Sequence, residues 1–193
     1  MGSKEILQIT GIVLGLLYLW LEYKANIWLW LVGIIMPVVH GTLYFKAGLY
    51  ADCSMQAYYV LAGIYGLAVW RKSPSGGKPH AGITRTPLKT VPILVAVCAA
   101  VQAAIYLLLV NFTNSTVPFW DSLTTAMSIT AMWMLSRKYM EQWLVWFAVD
   151  AITVGLYIYK GIPMTAGLYA LYTVLAVVGY LKWRREYLLA ERI

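Results

Sequence analysis

The sequence predicts an all-α integral membrane protein. Seven transmembrane helices are expected, arranged as two parallel three-helix repeats around a single linker helix. Three observations predict it. First, 61% of the 193 residues are hydrophobic, 12% are charged and the mean hydropathy is +0.68, far from the soluble range. Second, seven apolar segments of about spanning length lie near residues 5–22, 26–45, 49–70, 91–111, 118–136, 140–159 and 162–183. Backbone polar groups in hydrocarbon must be satisfied within the segment, so these are helices. Third, the chain repeats itself without a gap at an offset of 113 positions. Trp20 falls on Trp133, Trp30 on Trp143, Tyr44 on Tyr157 and Gly48 on Gly161. Tyr59 then falls on Tyr172, Gly66 on Gly179, Trp70 on Trp183 and Arg71 on Arg184.

In chain order, the first segment carries Gly11 and Gly15, a spacing that admits a close helix neighbour. It lacks a small-residue cleavage site and runs straight into the repeat, so it is read as a span rather than a signal peptide. The second holds Pro37 and His40. The third places Gln56, Tyr59, Gly63, Gly66 and Trp70 on one face, with the glycines leaving room for a neighbour or a ligand. Residues 73–90 are basic and rich in Gly, Pro and Ser, as expected of a solvated linker. Pro92 marks the start of the fourth span, which has no duplicate. Two three-helix units share an orientation only if an odd number of spans separates them, and this singleton supplies it. The expected divisions are 1–72, 73–90, 91–111 and 112–193. The fifth span bears Asp121, Thr124, Thr125 and Ser128 as a polar face, and the sixth carries Asp150 near its centre.

Seven spans divide the 15 Lys and Arg unequally. Lys4, Lys46 and Lys160 fall on one side and the other 12 on the opposite side, which predicts an outer N-terminus and a cytoplasmic C-terminus. The same asymmetry explains the net charge of +7 without nucleic acid. Cys53 and Cys98 are single and far apart, so both are read as small apolar residues.

Asp150 is the one acid that this assignment places deep in the bilayer, where a carboxylate is usually paired or faces a cavity. Trp143, Trp146, Thr153 and Tyr157 share its face. In the repeat mate that face carries Trp30, Gly33, Pro37, His40 and Tyr44. The two faces meeting near the midplane would make an aromatic cavity with one acid and one histidine, suited to an aromatic, cationic ligand. Duller readings stand beside it. Trp20, Trp30, Trp70, Trp143 and Trp183 lie near span ends, as interface anchors do. Asp150 could serve only to pair with His40 or Gln102. No glycine-rich phosphate cradle appears, which disfavours a phosphorylated substrate. No paired carboxylates, metal spacing or nucleophile–base motif appears either, so neither enzyme nor cofactor is expected.

The chain resembles the PnuC-type vitamin transporters. The resemblance rests on Gly33-Ile34-Ile35, Leu49-Tyr50-Ala51 with Gln56, and Tyr65-Gly66 before Trp70. In the second half it rests on Pro118-Phe119-Trp120-Asp121-Ser122, Arg137-Lys138-Tyr139, and Glu141 before Trp143 and Trp146. It implies a fold of the SWEET type, a homotrimer in the bacterial inner membrane, and facilitated diffusion with trapping by intracellular phosphorylation. Nicotinamide riboside carriers of the family resemble one another in an asparagine where this chain has Met36-Pro37, and often in another near Asp150. Their Glu-Asn-Trp is Glu141-Gln142-Trp143 here. These departures favour thiamine as substrate, with nicotinamide riboside as the alternative. The residues expected to bind it are Trp30, Met36, His40, Gln56, Tyr59, Trp143, Trp146, Asp150, Tyr157 and Tyr172. A capture subunit of an energy-coupled importer is the rival from another class, and proton coupling through Asp150 or His40 is a further one.

Overall fold

The computed structural model describes residues 3–46, 50–72 and 82–191, with side chains at 13–42, 56–72, 82–163 and 165–191. Linker residues 73–81 and the side chains of Gly11, Tyr44 and Cys53 lie outside the described residues. Seven helices follow in order: α1 (Ser3–Tyr23), α2 (Trp28–Lys46), α3 (Tyr50–Lys72), α4 (Val91–Phe112), α5 (Pro118–Ser136), α6 (Gln142–Tyr159) and α7 (Pro163–Ala190). Each begins and ends within a few residues of its apolar segment, except that α7 runs on seven residues past residue 183. α4, α6 and α7 are long and apolar enough to cross a membrane on their described residues alone. α4 buries no residue, as befits a helix whose surroundings are hydrocarbon. At 28 residues α7 is about 42 Å long, more than the roughly 30 Å hydrocarbon core, so one end projects beyond it.

The chain folds as two compact units, Met1–Gly82 and Ile83–Ile193. In the first, α2 packs on α3 and α1 on α2; in the second, α5 packs on α4 and α6, and α6 on α7. Within each unit the same lock joins two helices. Trp30 of α2 meets Trp70 of α3 edge to face, centroids 5.6 Å apart at 86°. Trp143 of α6 meets Trp183 of α7 at 5.8 Å and 86°. All four indoles are buried, at 2% exposure or less. Each lock closes over a glycine. A Cβ on Gly66 would stand 2.4 Å from the Trp30 ring, and one on Gly179 would stand 2.7 Å from the Trp143 ring. The interface-anchor reading of Trp30, Trp70, Trp143 and Trp183 is therefore corrected: they are core residues, because a flat ring on a bare backbone lets the helices close up. Gly63 likewise admits a neighbour rather than a ligand, since its Cβ would meet Ile34 at 2.6 Å.

The turn before each locked helix repeats as well. Ala25 and Lys138, 113 positions apart, both take left-handed backbone, at φ 46° and 55°. Ala25 N–H donates to Glu22 and Asn26 N–H to Leu21; Lys138 N–H donates to Leu135 and Tyr139 N–H to Met134. This is the Schellman ending of a helix, satisfying carbonyls that would otherwise be orphaned. Cations crown both: Lys24 sits 5.3 Å over Trp20, and Arg137 sits 5.4 Å over Trp133. Trp20 is more than half exposed and fits an interface anchor.

Ahead of α4, residues 83–86 lie along the α5–α6 turn. Thr84 N–H donates to Lys138, and Met140 N–H donates back to Thr84. The Glu141 carboxylate then accepts from the Thr86 N–H and hydroxyl, both at 2.8 Å, and pairs with Arg85 at 3.5 Å. The end of the expected linker is thus bound to the second unit. Lys138 is buried in this turn, and burial lowers its ammonium pKa to about 8.

Candidate functional site

Asp150 is buried in the second unit, 7% exposed, and among the described residues its carboxylate forms no hydrogen bond or ion pair. Water-poor surroundings penalise such a group, so its surroundings carry information. One turn earlier on α6, the Trp146 indole N–H is also buried with no acceptor among the described residues. Thr153, one turn later, donates its hydroxyl to Val149 of its own helix at 2.7 Å and so adds no free donor. From α7, Tyr172 lies within electrostatic reach of Asp150. Tyr157 stacks on Tyr169 at 5.4 Å and 20°, and Tyr169 meets Tyr172 edge to face at 5.7 Å. The result is a carboxylate without counter-charge, an indole donor and a ladder of three phenol rings spanning α6 and α7. Such a set offers stacking surface and negative charge, and suits a flat ligand carrying donors or positive charge.

Of the expected site residues, Trp146, Asp150, Tyr157 and Tyr172 thus come together. Trp143 does not present a face to them, being closed between Trp183 and Gly179. Trp30 is closed in the same way in the first unit. The other first-unit residues are partly buried. His40 donates from Nδ1 to the Met36 carbonyl at 2.9 Å. A Cβ on Gly41 would touch Gln56 at 3.2 Å, so Gln56 lines the α2–α3 contact. Tyr59 meets Tyr58 edge to face at 5.4 Å.

Two residues were not among those expected to bind the substrate. Tyr169 completes the ladder and sits three residues from Tyr172, a signal that helical spacing offered. Gln142 is fully buried at the start of α6, and neither its amide nitrogen nor its amide oxygen has a partner among the described residues. It lies one turn before Trp146 and two before Asp150 on a single stripe. A second acid, Glu22 at the end of α1, is buried beside Tyr18.

The hydroxyls on the polar face of α5 are bonded within their own helix. Thr125 donates to Asp121, Ser128 to Thr124 and Thr130 to Ala126, each four residues back in the same helix. Asp121 is held by Lys160 at 3.2 Å and by the Ser115 hydroxyl at 2.7 Å, tying the start of α5 to the end of α6. A cavity of about 510 Å³ lies against Trp120, Ile152, Gly155 and Tyr159, on the side of α6 away from Asp150. Its wall is mostly apolar.

Residues 5–185 match the family model described as nicotinamide mononucleotide transporter. The nicotinamide riboside transporter PnuC of Escherichia coli (strain K12) is 26% identical over 201 residues, covering 92% of this chain and 84% of that protein. The riboflavin/roseoflavin transporter RibM of Streptomyces davaonensis is 25% identical over 179 residues, covering 91% and 83%. Among solved structures, the crystal structure of the vitamin B3 transporter PnuC aligns with a TM-score of 0.69 at 23% identity, over 90% of this chain and 78% of that one.

Proposed function

This chain belongs to the nicotinamide mononucleotide transporter family, and from that membership we propose that it carries an aromatic B-vitamin across the membrane, nicotinamide riboside first among the candidates. The observation that carries the reading is the buried Asp150 carboxylate, unpartnered among the described residues and flanked by the Trp146 indole and the tyrosines of α6 and α7. A pyridinium riboside supplies what this set lacks: a flat cation for the rings and the carboxylate, and hydroxyl donors. The order of substrates expected from sequence is thereby reversed. Relatives are named for nicotinamide riboside and for riboflavin, and membership now outweighs the departures at Met36-Pro37 and Asp150 that favoured thiamine.

Thiamine remains the second reading on one observation. A carboxylate stands where the resemblance places an amide, and a thiazolium needs a counter-charge more than it needs an amide. In the proposed mechanism the carrier is a uniporter of seven spans, with two parallel repeats in the 3+1+3 order. Trapping by phosphorylation inside the cell draws the vitamin in. The bacterial inner membrane, an outer N-terminus and a homotrimer complete the proposal. The identical Trp–Gly–Trp locks and Schellman turns at an offset of 113 support the duplication.

Calorimetric titration of purified protein with nicotinamide riboside, riboflavin and thiamine side by side tests the substrate. Tightest binding of nicotinamide riboside is expected; tightest binding of thiamine would promote the second reading. Reconstituted vesicles should equilibrate the vitamin without an ion gradient. Accumulation driven by a proton or sodium gradient would replace uniport by coupled transport, and binding without flux would revive the capture subunit.

A further inference from the structure

The duplication supplies an internal control for every residue of α6. At Trp143, Gly179 and Trp183 the second unit repeats the first. Along the stripe that ends at Asp150 it does not: Leu29 becomes Gln142, Gly33 becomes Trp146 and Pro37 becomes Asp150. Each change adds a polar atom, at a buried position for 142 and 150 and at a half-buried one for 146. Gln142 is the most costly of them in structural terms. Its side chain is fully buried, and both ends of its amide lack a partner among the described residues. A buried donor and acceptor left unmade are destabilising, so such groups call for an explanation. Leu29 holds the corresponding place in the first unit, equally buried, next to the same tryptophan lock. A leucine therefore fits this turn, and packing does not require the glutamine.

We propose that Gln142 is a specificity-determining residue, whose amide pairs with the carboxamide of the substrate when the start of α6 opens during transport. The inference rests on the reading of the chain as a nicotinamide riboside carrier. An amide offers one donor edge and one acceptor, the complement of a second amide, and it cannot satisfy a carboxylate in the same way. Gln142 stands about 12 Å along α6 from Asp150, with Trp146 between them. The stripe therefore offers, in order, an amide for the carboxamide, an indole for the ring and a carboxylate for the cation and sugar. In the conformation described the amide is sealed from solvent, so its contact belongs to another stage of the cycle. The neighbouring Met140 and Glu141 are held by Thr84 and Thr86, which marks this turn as the part that must release.

The test uses the full-length wild type, Q142L and Q142N, each titrated with nicotinamide riboside and nicotinic acid riboside and each melted without ligand. Q142L installs the residue of the first unit. It should melt at the same temperature as wild type or higher. Its affinity for nicotinamide riboside should fall roughly 10-fold or more, with the preference for the amide over the acid largely lost. Q142N, which keeps the amide, should retain that preference. Unchanged riboside affinity in Q142L would overturn the assignment, as would an equal loss for both ligands with the preference intact. A lower melting temperature in Q142L that Q142N restores would identify a structural hydrogen bond instead. Failure of the wild type itself to bind nicotinamide riboside would instead refute the substrate reading, and this inference with it.

Discussion

Placing a single methyl group on Gly179 should show that the tryptophan lock holds the second unit together. A Cβ there would lie 2.7 Å from three atoms of the Trp143 ring, against an ordinary carbon–carbon contact of about 3.5–4.0 Å. The ring has little room to retreat, since it is buried and also meets Trp183, one turn along the same face of α7. Overpacking of this kind costs about 1–3 kcal/mol. Disturbing the edge-to-face pair costs about 0.5–1.5 kcal/mol more. Alanine recovers roughly 1 kcal/mol of helix propensity over glycine. The net loss for Gly179→Ala is therefore about 0.5–3.5 kcal/mol, a fall of roughly 1–14 °C in melting temperature for a chain of this size. Gly66→Ala should behave alike, its Cβ being 2.4 Å from Trp30. Gly155→Ala is the control, because a Cβ there meets nothing within 4 Å, and it should melt at or slightly above wild type. Melting in detergent, followed by size-exclusion of the soluble fraction, reads all three. Trp143→Phe combined with Gly179→Ala should be less damaging than the sum of the two, since the smaller ring makes room. Equal melting of Gly179→Ala and Gly155→Ala would refute the lock.

Asp150→Asn should weaken thiamine binding by roughly 10- to 150-fold, the loss of one charge-assisted contact. It should weaken nicotinamide riboside as well, whose pyridinium the carboxylate is proposed to face, and leave the melting temperature unchanged, because the carboxylate holds no partner among the described residues; a drop in stability would make Asp150 structural, and undiminished nicotinamide riboside binding would remove the carboxylate from that reading. Lys138 ties stability to pH. Its pKa is lowered from 10.5 to about 8 by burial, so the unfolded chain binds the proton more tightly. Stability from this group should be flat below pH 8 and rise between about pH 8 and 10.5, and Lys138→Met should flatten the rise seen in melting curves from pH 7 to 9.5. Orientation is read with Leu88→Cys and Asn114→Cys, both exposed: an impermeant thiol reagent outside intact cells should label position 114 and not 88, and the reverse pattern would invert the topology.

Much of this was legible one residue at a time. Helices over seven apolar segments follow from segment length and from the need to satisfy backbone groups in hydrocarbon. The expectation of a duplicated unit comes from tryptophans and glycines recurring at one offset, and the transporter family from short motifs along most of the chain. None of these needs to know which way a side chain points. Side-chain direction is where sequence reasoning stopped. In a soluble helix the polar stripe identifies the outer face, but a helix in lipid is apolar all round, so periodicity shows which residues share a face and not what that face meets. Trp143 and Trp146 are three residues apart and look alike in sequence. Only packing shows that one is shut against Gly179 and Trp183, while the other has a buried N–H without an acceptor among the described residues. The hydroxyls of α5 form a polar face in sequence, but only the structure shows that they donate to the preceding turn. Gln142 looked like a substitution within a motif. Its burial without a partner among the described residues, where Leu29 sits in the repeat, depends on neighbours that are distant in sequence and adjacent only in the fold.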